Sequence, residues 1–152
     1  MSFVKKFILD VDGVLTTGHS IYSEKGKIYK IFGPHDSDGL KIIKNKINTS
    51  FISADKRGFS ITKKRIEDLG FSVLLVSEEE RLSFFKNQNP DEIIFMGDGY
   101  FDSEVMKIVK YSIAPKNARP EAIKQANYVT PSRSGEGAVL DACLHIDQKF
   151  FK

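Results

Sequence analysis

Short apolar segments alternate with segments of helical periodicity along most of the chain, and this alternation constrains the fold more than any other feature. The apolar segments are residues 3–9, 49–53, 72–76, 92–96 and 111–114, and helices are predicted at residues 38–47, 60–69 and 102–110, after a capping box at Ser77, after Pro120 and after Gly137. The pattern predicts an α/β fold with a doubly wound, mainly parallel sheet. At 152 residues we expect one domain, residues 1–152.

Residues 19–32 do not follow this strand–helix pattern. Apolar and polar residues alternate there with a period of two around a Glu24-Lys25-Gly26 turn. We expect a β-hairpin that projects from the sheet. Its apolar side chains are Ile21, Tyr22, Ile28, Tyr29 and Ile31. They suit either a subunit interface or packing in the core.

Composition excludes several classes of function. A net charge of +3, from 23 basic and 20 acidic residues, is too small and too dispersed for nucleic-acid binding. No apolar run approaches the roughly 20 residues that span a bilayer, and the first residues carry no signal-peptide pattern. Cys143 is the only cysteine, which favours a reducing compartment. We therefore expect a cytoplasmic protein that does not bind membranes.

Polar side chains stand at the expected carboxyl ends of three strands. Asp10 and Asp12 follow the first strand, Ser53 follows the second, and Asp98 follows the strand predicted at residues 92–96. In parallel sheets these ends share one edge, where ligands bind. Crowded carboxylates raise one another's pKa unless a cation neutralises them, and Mg²⁺ prefers oxygen ligands. The carboxylates therefore predict a Mg²⁺ site.

Each of these acidic residues also has a purely structural interpretation. Asp10 and Asp12 fit a loop in which aspartates form Asx turns, and Asp98 fits a turn before Gly99. Asp102 fits the N-cap of the helix predicted at residues 102–110. The residues alone leave both interpretations open.

Four motifs, taken together in this order, resemble the haloacid dehalogenase superfamily of aspartate-nucleophile phosphatases. They are Asp10-Val11-Asp12-Gly13, Ser53, Arg81 near the start of a helix, and Gly97-Asp98-Gly99-Tyr100-Phe101-Asp102. The resemblance implies a Rossmann-like fold and a Mg²⁺-dependent phosphoric monoester hydrolase. No insertion is long enough to form a separate cap domain.

The resemblance also implies roles for the motif residues. Asp10 attacks phosphorus to form an aspartyl phosphate, and Asp12 protonates the leaving oxygen and later assists water. Mg²⁺, the Ser53 hydroxyl and the Arg81 cation hold the phosphoryl oxygens. By the same resemblance Asp10, Asp12 (through its backbone carbonyl) and Asp98 bind the metal, with Asp102 supporting them.

Within the superfamily the chain resembles capless phosphatases that act on octulosonate 8-phosphate or on sialic-type nine-carbon sugar 9-phosphates, enzymes of lipopolysaccharide or sialic acid biosynthesis. That group implies a sugar-acid phosphate as substrate and a homotetramer, with the hairpin between subunits and the segment 134–139 reaching a neighbour's site. Candidate substrate-binding residues are His35, Asp36, Ser37, Lys56, Arg57 and Arg133. His35 stands where Arg is usual, and Asp36-Ser37 is nearer to the nine-carbon branch.

Two alternatives from other classes stay open. Arg81 stands where the family more often has Lys, and Gly99 stands where relatives often have a second Asp, which favours a phosphatase-like subunit that binds ligand with little or no turnover. A phospho-receiver domain also has acidic strand ends and Mg²⁺. Its acceptor would follow a middle strand, where this chain has Ser53 or Val76.

Overall fold

Six parallel strands form the central sheet in the computed structural model, which describes residues 3–152. The strands are β1 (Lys6–Asp10), β2 (Thr16–Ser23), β3 (Gly26–Phe32), β4 (Asn48–Ser53), β5 (Val73–Leu75), β6 (Ile93–Met96), β7 (Tyr111–Ala114) and β8 (Tyr128–Val129). The sheet order is β5-β4-β1-β6-β7-β8, and β2 and β3 lie outside it. This is the doubly wound order with β1 beside the point where the winding direction reverses. The predicted fold class is confirmed.

Helices cover both faces of this sheet. They are α1 (Asp36–Ile43), α2 (Phe59–Asp68), α3 (Glu78–Lys86), α4 (Asp102–Met106), α5 (Pro120–Gln125) and α6 (Ala138–Ile146), with a 3-10 turn at Pro90–Glu92 and a π-helical turn at Asp147–Phe151. Successive side chains of a strand point to opposite faces. In β1, Phe7 and Leu9 therefore pack with α1, α2 and α6, whereas Ile8 packs with α3, α4 and α5. Each fully buried side chain of this size contributes roughly 1.5–3 kcal/mol.

Local signals account for two helix boundaries and one close helix–helix contact. The Ser77 hydroxyl accepts a hydrogen bond from the Glu80 N–H at 3.2 Å, as the capping box predicts. Gly70, with φ of +88°, follows the end of α2 in a conformation that favours glycine. Gly39 lets α1 approach α6, because an added Cβ would lie 2.9 Å from the Leu140 Cα.

Several elements differ from the sequence-based prediction. Strand β1 covers Lys6–Asp10 rather than residues 3–9, and β2 begins at Thr16 rather than at residue 19. Helix α4 ends at Met106 rather than at residue 110. Helix α1 covers Asp36–Ile43, and His35 rather than Asp38 is its N-cap residue. Strand β8 was not predicted, because its two residues provide no apolar run or alternation from which to recognise a strand.

The hairpin is a separate antiparallel pair of β2 and β3. Its five apolar side chains are exposed, by 41% at Ile28 up to 63% at Tyr29. The expectation that they pack in the core is therefore wrong, and an interface remains a prediction. Among residues 3–152, none of the helices has both the length and the apolar character needed to span a membrane.

Candidate active site

A cleft of about 410 Å³ lies at the carboxyl ends of β1 and β6, where the winding of the sheet reverses. Ligands of doubly wound folds bind at this position. Charged residues in its walls are Asp10, Asp12, Lys27, Lys30, Asp55, Glu78, Arg81, Asp98 and Asp102. The structure thus brings the predicted acidic residues and Arg81 together, although they lie far apart in the sequence.

Asp10 is the last residue of β1 and is only 6% exposed. Its own carboxylate accepts a hydrogen bond from the Val11 N–H at 3.0 Å. Burial raises the pKa of Asp10 well above its usual range, the Arg81 cation opposes this, and the nearby Asp102 and Asp98 carboxylates raise the pKa further. The site therefore holds more negative charge than its own cation balances.

Gly13 permits the close approach of the loop after β1 to the loop after β6. Its φ is +78°, and a Cβ at this position would lie 1.9 Å from the Asp98 Oδ2. Any other residue would displace the Asp98 carboxylate. Burial, followed by the charge of Asp102, raises the pKa of Asp98 to about 7.

Asp102 links the two halves of the site. Its Oδ1 accepts a hydrogen bond from Arg81 Nη1 at 2.6 Å, and its Oδ2 accepts from the N–H groups of Asp98 and Gly99, each at 2.9 Å. The interpretation of Asp102 as a helix cap is wrong, because it is the first residue of α4 and no side chain caps that helix. Asp102 instead fixes the loop that carries Asp98.

A divalent cation fits this site. Carboxylate oxygens of Asp10, Asp98 and Asp102 lie within 4.8 Å of one another. The two oxygens of Asp102 together accept three hydrogen bonds from protein donors, whereas the Asp10 carboxylate accepts one from a backbone N–H, so Asp10 and Asp98 have the greater free ligand capacity. The raised pKa values of Asp10 and Asp98 indicate the same need for positive charge.

Arg81 lies in α3 and is 4% exposed. Its Nη1 lies 3.5 Å from the Asp10 Oδ2 and contacts Asp102, whereas its Nε and Nη2 have no hydrogen-bond partner within residues 3–152. Burial lowers the pKa of Arg81, and the two carboxylates raise it by more. Arg81 therefore stays charged and keeps two buried donors that no described residue uses.

Two protein side chains donate hydrogen bonds to the Asp12 carboxylate. The Ser53 hydroxyl donates to Asp12 Oδ2 at 3.0 Å, and Lys30 Nζ donates to Asp12 Oδ1 at 2.8 Å. Ser53 is fully buried, and its predicted contact with a phosphoryl oxygen stays a prediction. The roles of Asp10, Asp12 and Arg81 in catalysis also stay predictions.

The sequence analysis missed a cluster of charges beside Asp12. Lys30 Nζ also lies 2.8 Å from the Asp55 Oδ2, and Lys27 Nζ lies 2.7 Å from the same oxygen. Burial alone would raise the pKa of Asp55, but hydrogen bonds from Lys27 and Lys30 outweigh it and lower the pKa to about 2. The only signal in the sequence was the spacing of Lys27 and Lys30 on one strand, which does not identify their partners.

The six predicted substrate-binding residues lie away from the walls of this cleft in a single copy of residues 3–152. His35, Lys56, Arg57 and Arg133 are exposed, Ser37 is half-buried and Asp36 is buried. The loop around His35 packs closely against the loop around Gly135. A Cβ added to Gly33 would lie only 2.4 Å from the Gly135 carbonyl oxygen. Their contact with substrate stays a prediction.

Asp36 is 1% exposed, and its Oδ2 has no hydrogen-bond partner within the described residues. Burial raises the pKa of this carboxyl to about 7, with Arg65 opposing the shift. Because the folded protein holds this proton more tightly than the unfolded chain, the contribution of Asp36 to stability is greatest below about pH 4 and is lost as the pH rises from there through about 7.

Asp36→Asn should remove this pH dependence. A shift from 3.8 to about 7 corresponds to a destabilisation of up to about 4 kcal/mol at alkaline pH, which the neutral side chain avoids. Urea unfolding at about pH 4 and pH 8 should show the variant's gain over wild type growing from less than about 1 kcal/mol to most of this amount. Asp38→Asn, on the exposed side of the same helix, is the control. Equal pH slopes for wild type and Asp36→Asn would contradict this account.

Comparison with known proteins gives consistent matches. The model of the haloacid dehalogenase-like hydrolase family matches residues 13–142. The 3-deoxy-D-manno-octulosonate 8-phosphate phosphatase of Escherichia coli K12 is 30% identical over 147 residues, which are 92% of this chain and 77% of that protein.

Solved structures of phosphatases are also similar to this chain. A probable YrbI-family phosphatase from Pseudomonas syringae is 29% identical with a TM-score of 0.85, covering 97% of this chain and 86% of that one. The cobalt-bound deoxy-D-mannose-octulosonate 8-phosphate phosphatase of Haemophilus influenzae is 26% identical with a TM-score of 0.83, covering 97% and 89%.

Proposed function

The chain belongs to the haloacid dehalogenase-like hydrolase family and is a phosphatase, and on this premise we propose that it hydrolyses a sugar-acid phosphate through an aspartyl phosphate on Asp10. The observation that carries the mechanism is the position of Asp10, a carboxylate in the cleft wall at the end of β1, 3.5 Å from the Arg81 cation. Such a carboxylate can attack phosphorus while the cation stabilises the phosphoryl charge.

We assign Mg²⁺ binding to Asp10, Asp98 and the backbone carbonyl of Asp12. Bound Mg²⁺ would neutralise charge on the phosphoryl group and orient it towards Asp10. Asp102 keeps the Asp98 loop in place through its two N–H contacts. A relative that binds cobalt supports a divalent metal at this kind of site.

The remaining steps use side chains of the cleft. In the first step the Asp10 Oδ–P bond forms, the bond between phosphorus and the sugar oxygen breaks, and Asp12 gives its proton to that oxygen. In the second step Asp12 takes a proton from water as the water oxygen attacks phosphorus and releases Asp10. The unpartnered Nε and Nη2 donors of Arg81 are the proposed phosphoryl ligands. The Ser53 hydroxyl donates its one hydrogen to Asp12 in this structure, so its proposed contact with a phosphoryl oxygen requires that this bond break.

The substrate class rests on the relatives, several of which are named as octulosonate 8-phosphate phosphatases. A sialic-type sugar 9-phosphate is the other member of the class that we propose, because Asp36-Ser37 resembles the nine-carbon branch. Either compound carries a phosphate and a carboxylate.

The proposed substrate class can be tested with a small panel of phosphates and Mg²⁺. The panel contains 3-deoxy-D-manno-octulosonate 8-phosphate, a sialic-type sugar 9-phosphate and glucose 6-phosphate, which lacks the carboxylate. We expect kcat/KM for one of the two sugar acids to exceed that for glucose 6-phosphate by roughly tenfold or more. Equal values for all three would contradict the substrate class, and no turnover of any would contradict the function.

We further propose a homotetramer of single-domain chains, residues 1–152, in the cytoplasm. The exposed apolar side chains of the hairpin support an interface, and the free buried Cys143 suits a reducing compartment. A neighbouring copy would bring the exposed Arg133 and its loop towards the cleft. Sedimentation with wild type and with Tyr22→Ser/Tyr29→Ser tests the interface, since the double variant should dissociate.

Mg²⁺ affinity should rise with pH until the carboxylates are ionised. Because the pKa of Asp98 is about 7 in the metal-free protein and that of Asp10 is also raised, metal binding must displace protons. Between about pH 5.5 and 7, we expect affinity to increase by up to about tenfold per pH unit for each proton displaced. Calorimetry in two buffers of different ionisation enthalpy measures the released protons. A pH-independent affinity without proton release would contradict the assigned ligands.

A further inference from the structure

We propose that Lys30 is a positioning residue that fixes the Asp12 carboxylate for proton transfer to the leaving oxygen, an inference that rests on the function proposed above. Lys30 lies in β3 of the hairpin, outside the central sheet. Its Nζ lies 2.8 Å from the Asp12 Oδ1. A residue of the hairpin thereby contacts the proposed acid and base of the reaction.

Lys30 contacts Asp12 from a buried position. The Lys30 side chain is 1% exposed, whereas the Asp12 side chain is 35% exposed and lies in the wall of the cleft. A buried ammonium is costly unless each of its donors is used. Lys30 has three such donors, and Asp12, Asp55 and Thr62 each offer an oxygen at 2.8 Å. Lys30 therefore has no donor left for substrate, which distinguishes it from Arg81.

The two oxygens of Asp12 are both fixed. Lys30 binds Oδ1 and the Ser53 hydroxyl binds Oδ2, so the plane of the carboxylate is set by contacts on both sides. Each carboxylate oxygen has two lone pairs, which leaves one on each oxygen for a proton shared with the leaving group or water. A shift of about 1 Å in such a group can reduce a rate by roughly a hundredfold.

Lys27 provides a matched control for a purely structural role. It lies on the same strand and contacts the same Asp55 oxygen, at 2.7 Å, but makes no hydrogen bond to Asp12. Removing Lys27 weakens the attachment of the hairpin to Asp55 and leaves the Lys30–Asp12 contact in place. Removing Lys30 leaves Asp55 paired with Lys27.

The test compares leaving groups. Lys30→Met, Lys30→Gln and Lys27→Met are assayed with Mg²⁺ on p-nitrophenyl phosphate and on the better of octulosonate 8-phosphate and the sialic-type 9-phosphate. A sugar alkoxide needs a proton to leave, whereas p-nitrophenolate does not. The ratio kcat/KM reports the steps up to formation of the aspartyl phosphate and excludes its hydrolysis, which is common to both substrates. We expect both Lys30 variants to lower kcat/KM roughly a hundredfold on the sugar phosphate and by less than about tenfold on p-nitrophenyl phosphate. Lys27→Met should change kcat/KM on the two substrates by the same factor to within about threefold, because it leaves the Lys30–Asp12 contact in place.

Equal losses of kcat/KM on the two substrates in the Lys30 variants, or no loss, would overturn the inference. The same holds if Lys27→Met reproduces the selective loss. Thermal unfolding shows whether each variant is folded. If Lys30→Met is unfolded, the relative losses of Lys30→Gln on the two substrates decide the outcome. A wild type inert on every phosphate overturns the proposed function as well, whereas an active wild type with equal losses overturns the role of Lys30 alone.

Discussion

Asp10→Asn is expected to lower turnover by at least roughly 10⁴-fold, the largest effect of any single substitution in this chain. The amide has nearly the same shape, so it can occupy the end of β1, but it cannot attack phosphorus. Because burial raises the pKa of Asp10, loss of its charge should not weaken the fold. Arg81 keeps its contact with Asp102.

Steady-state kinetics and thermal unfolding of Asp10→Asn measure the two effects separately. Asp91→Asn is a suitable control, because Asp91 is exposed in the turn before β6, at the opposite edge of the sheet. It should retain full turnover. A folded Asp10→Asn variant with turnover within about tenfold of wild type would exclude Asp10 as the nucleophile.

Arg81→Met is expected to give the largest loss of stability. It removes the cation between two buried carboxylates, and breaking a buried ion pair in this way costs about 3–5 kcal/mol. Turnover should fall by about a hundredfold or more, because the phosphoryl group loses its charged donors. Arg81→Lys should retain most of the stability, since Arg81 contacts both carboxylates through Nη1 alone, and a Lys ammonium offers one such nitrogen.

Urea unfolding measures these stabilities, with Lys107→Met as a control for loss of an exposed ion pair. Lys107 pairs with Glu104 at 3.2 Å, and both side chains are about half exposed, so its removal should cost less than about 1 kcal/mol. If Arg81→Met were as stable as Lys107→Met, the ion-pair account of this site would be wrong.

Much of the fold could be predicted from sequence because the alternation of strands and helices is local. Strand β7 (Tyr111–Ala114) agrees with its predicted limits, and the Ser77 cap forms as expected. Strand β8 was missed, since its pairing with β7 depends on the tertiary fold and its own two residues give no pattern. Helix α4 was predicted too long because the apolar spacing through Val109 continues beyond Met106, where the helix ends.

The site residues at strand ends could be predicted from the sequence. The contacts between side chains that are distant in the sequence could not be predicted. Asp10 and Asp98 follow neighbouring parallel strands, so their meeting was expected. The contacts of Lys30 with Asp12 and Asp55 join a hairpin to two loops, and no local spacing predicts them. Asp102 was ambiguous because an aspartate at a helix start fits both a cap and a site residue.

The most direct test of the central claim is a crystal structure of the protein with Mg²⁺ and beryllium fluoride, an analogue of a phosphoryl group bonded to carboxylate. The account predicts beryllium bonded to an Asp10 oxygen, a metal ion in contact with Asp10 and Asp98, and an Arg81 nitrogen within hydrogen-bond distance of fluoride. Beryllium fluoride on another side chain, or Asp98 without contact to the metal, would contradict it.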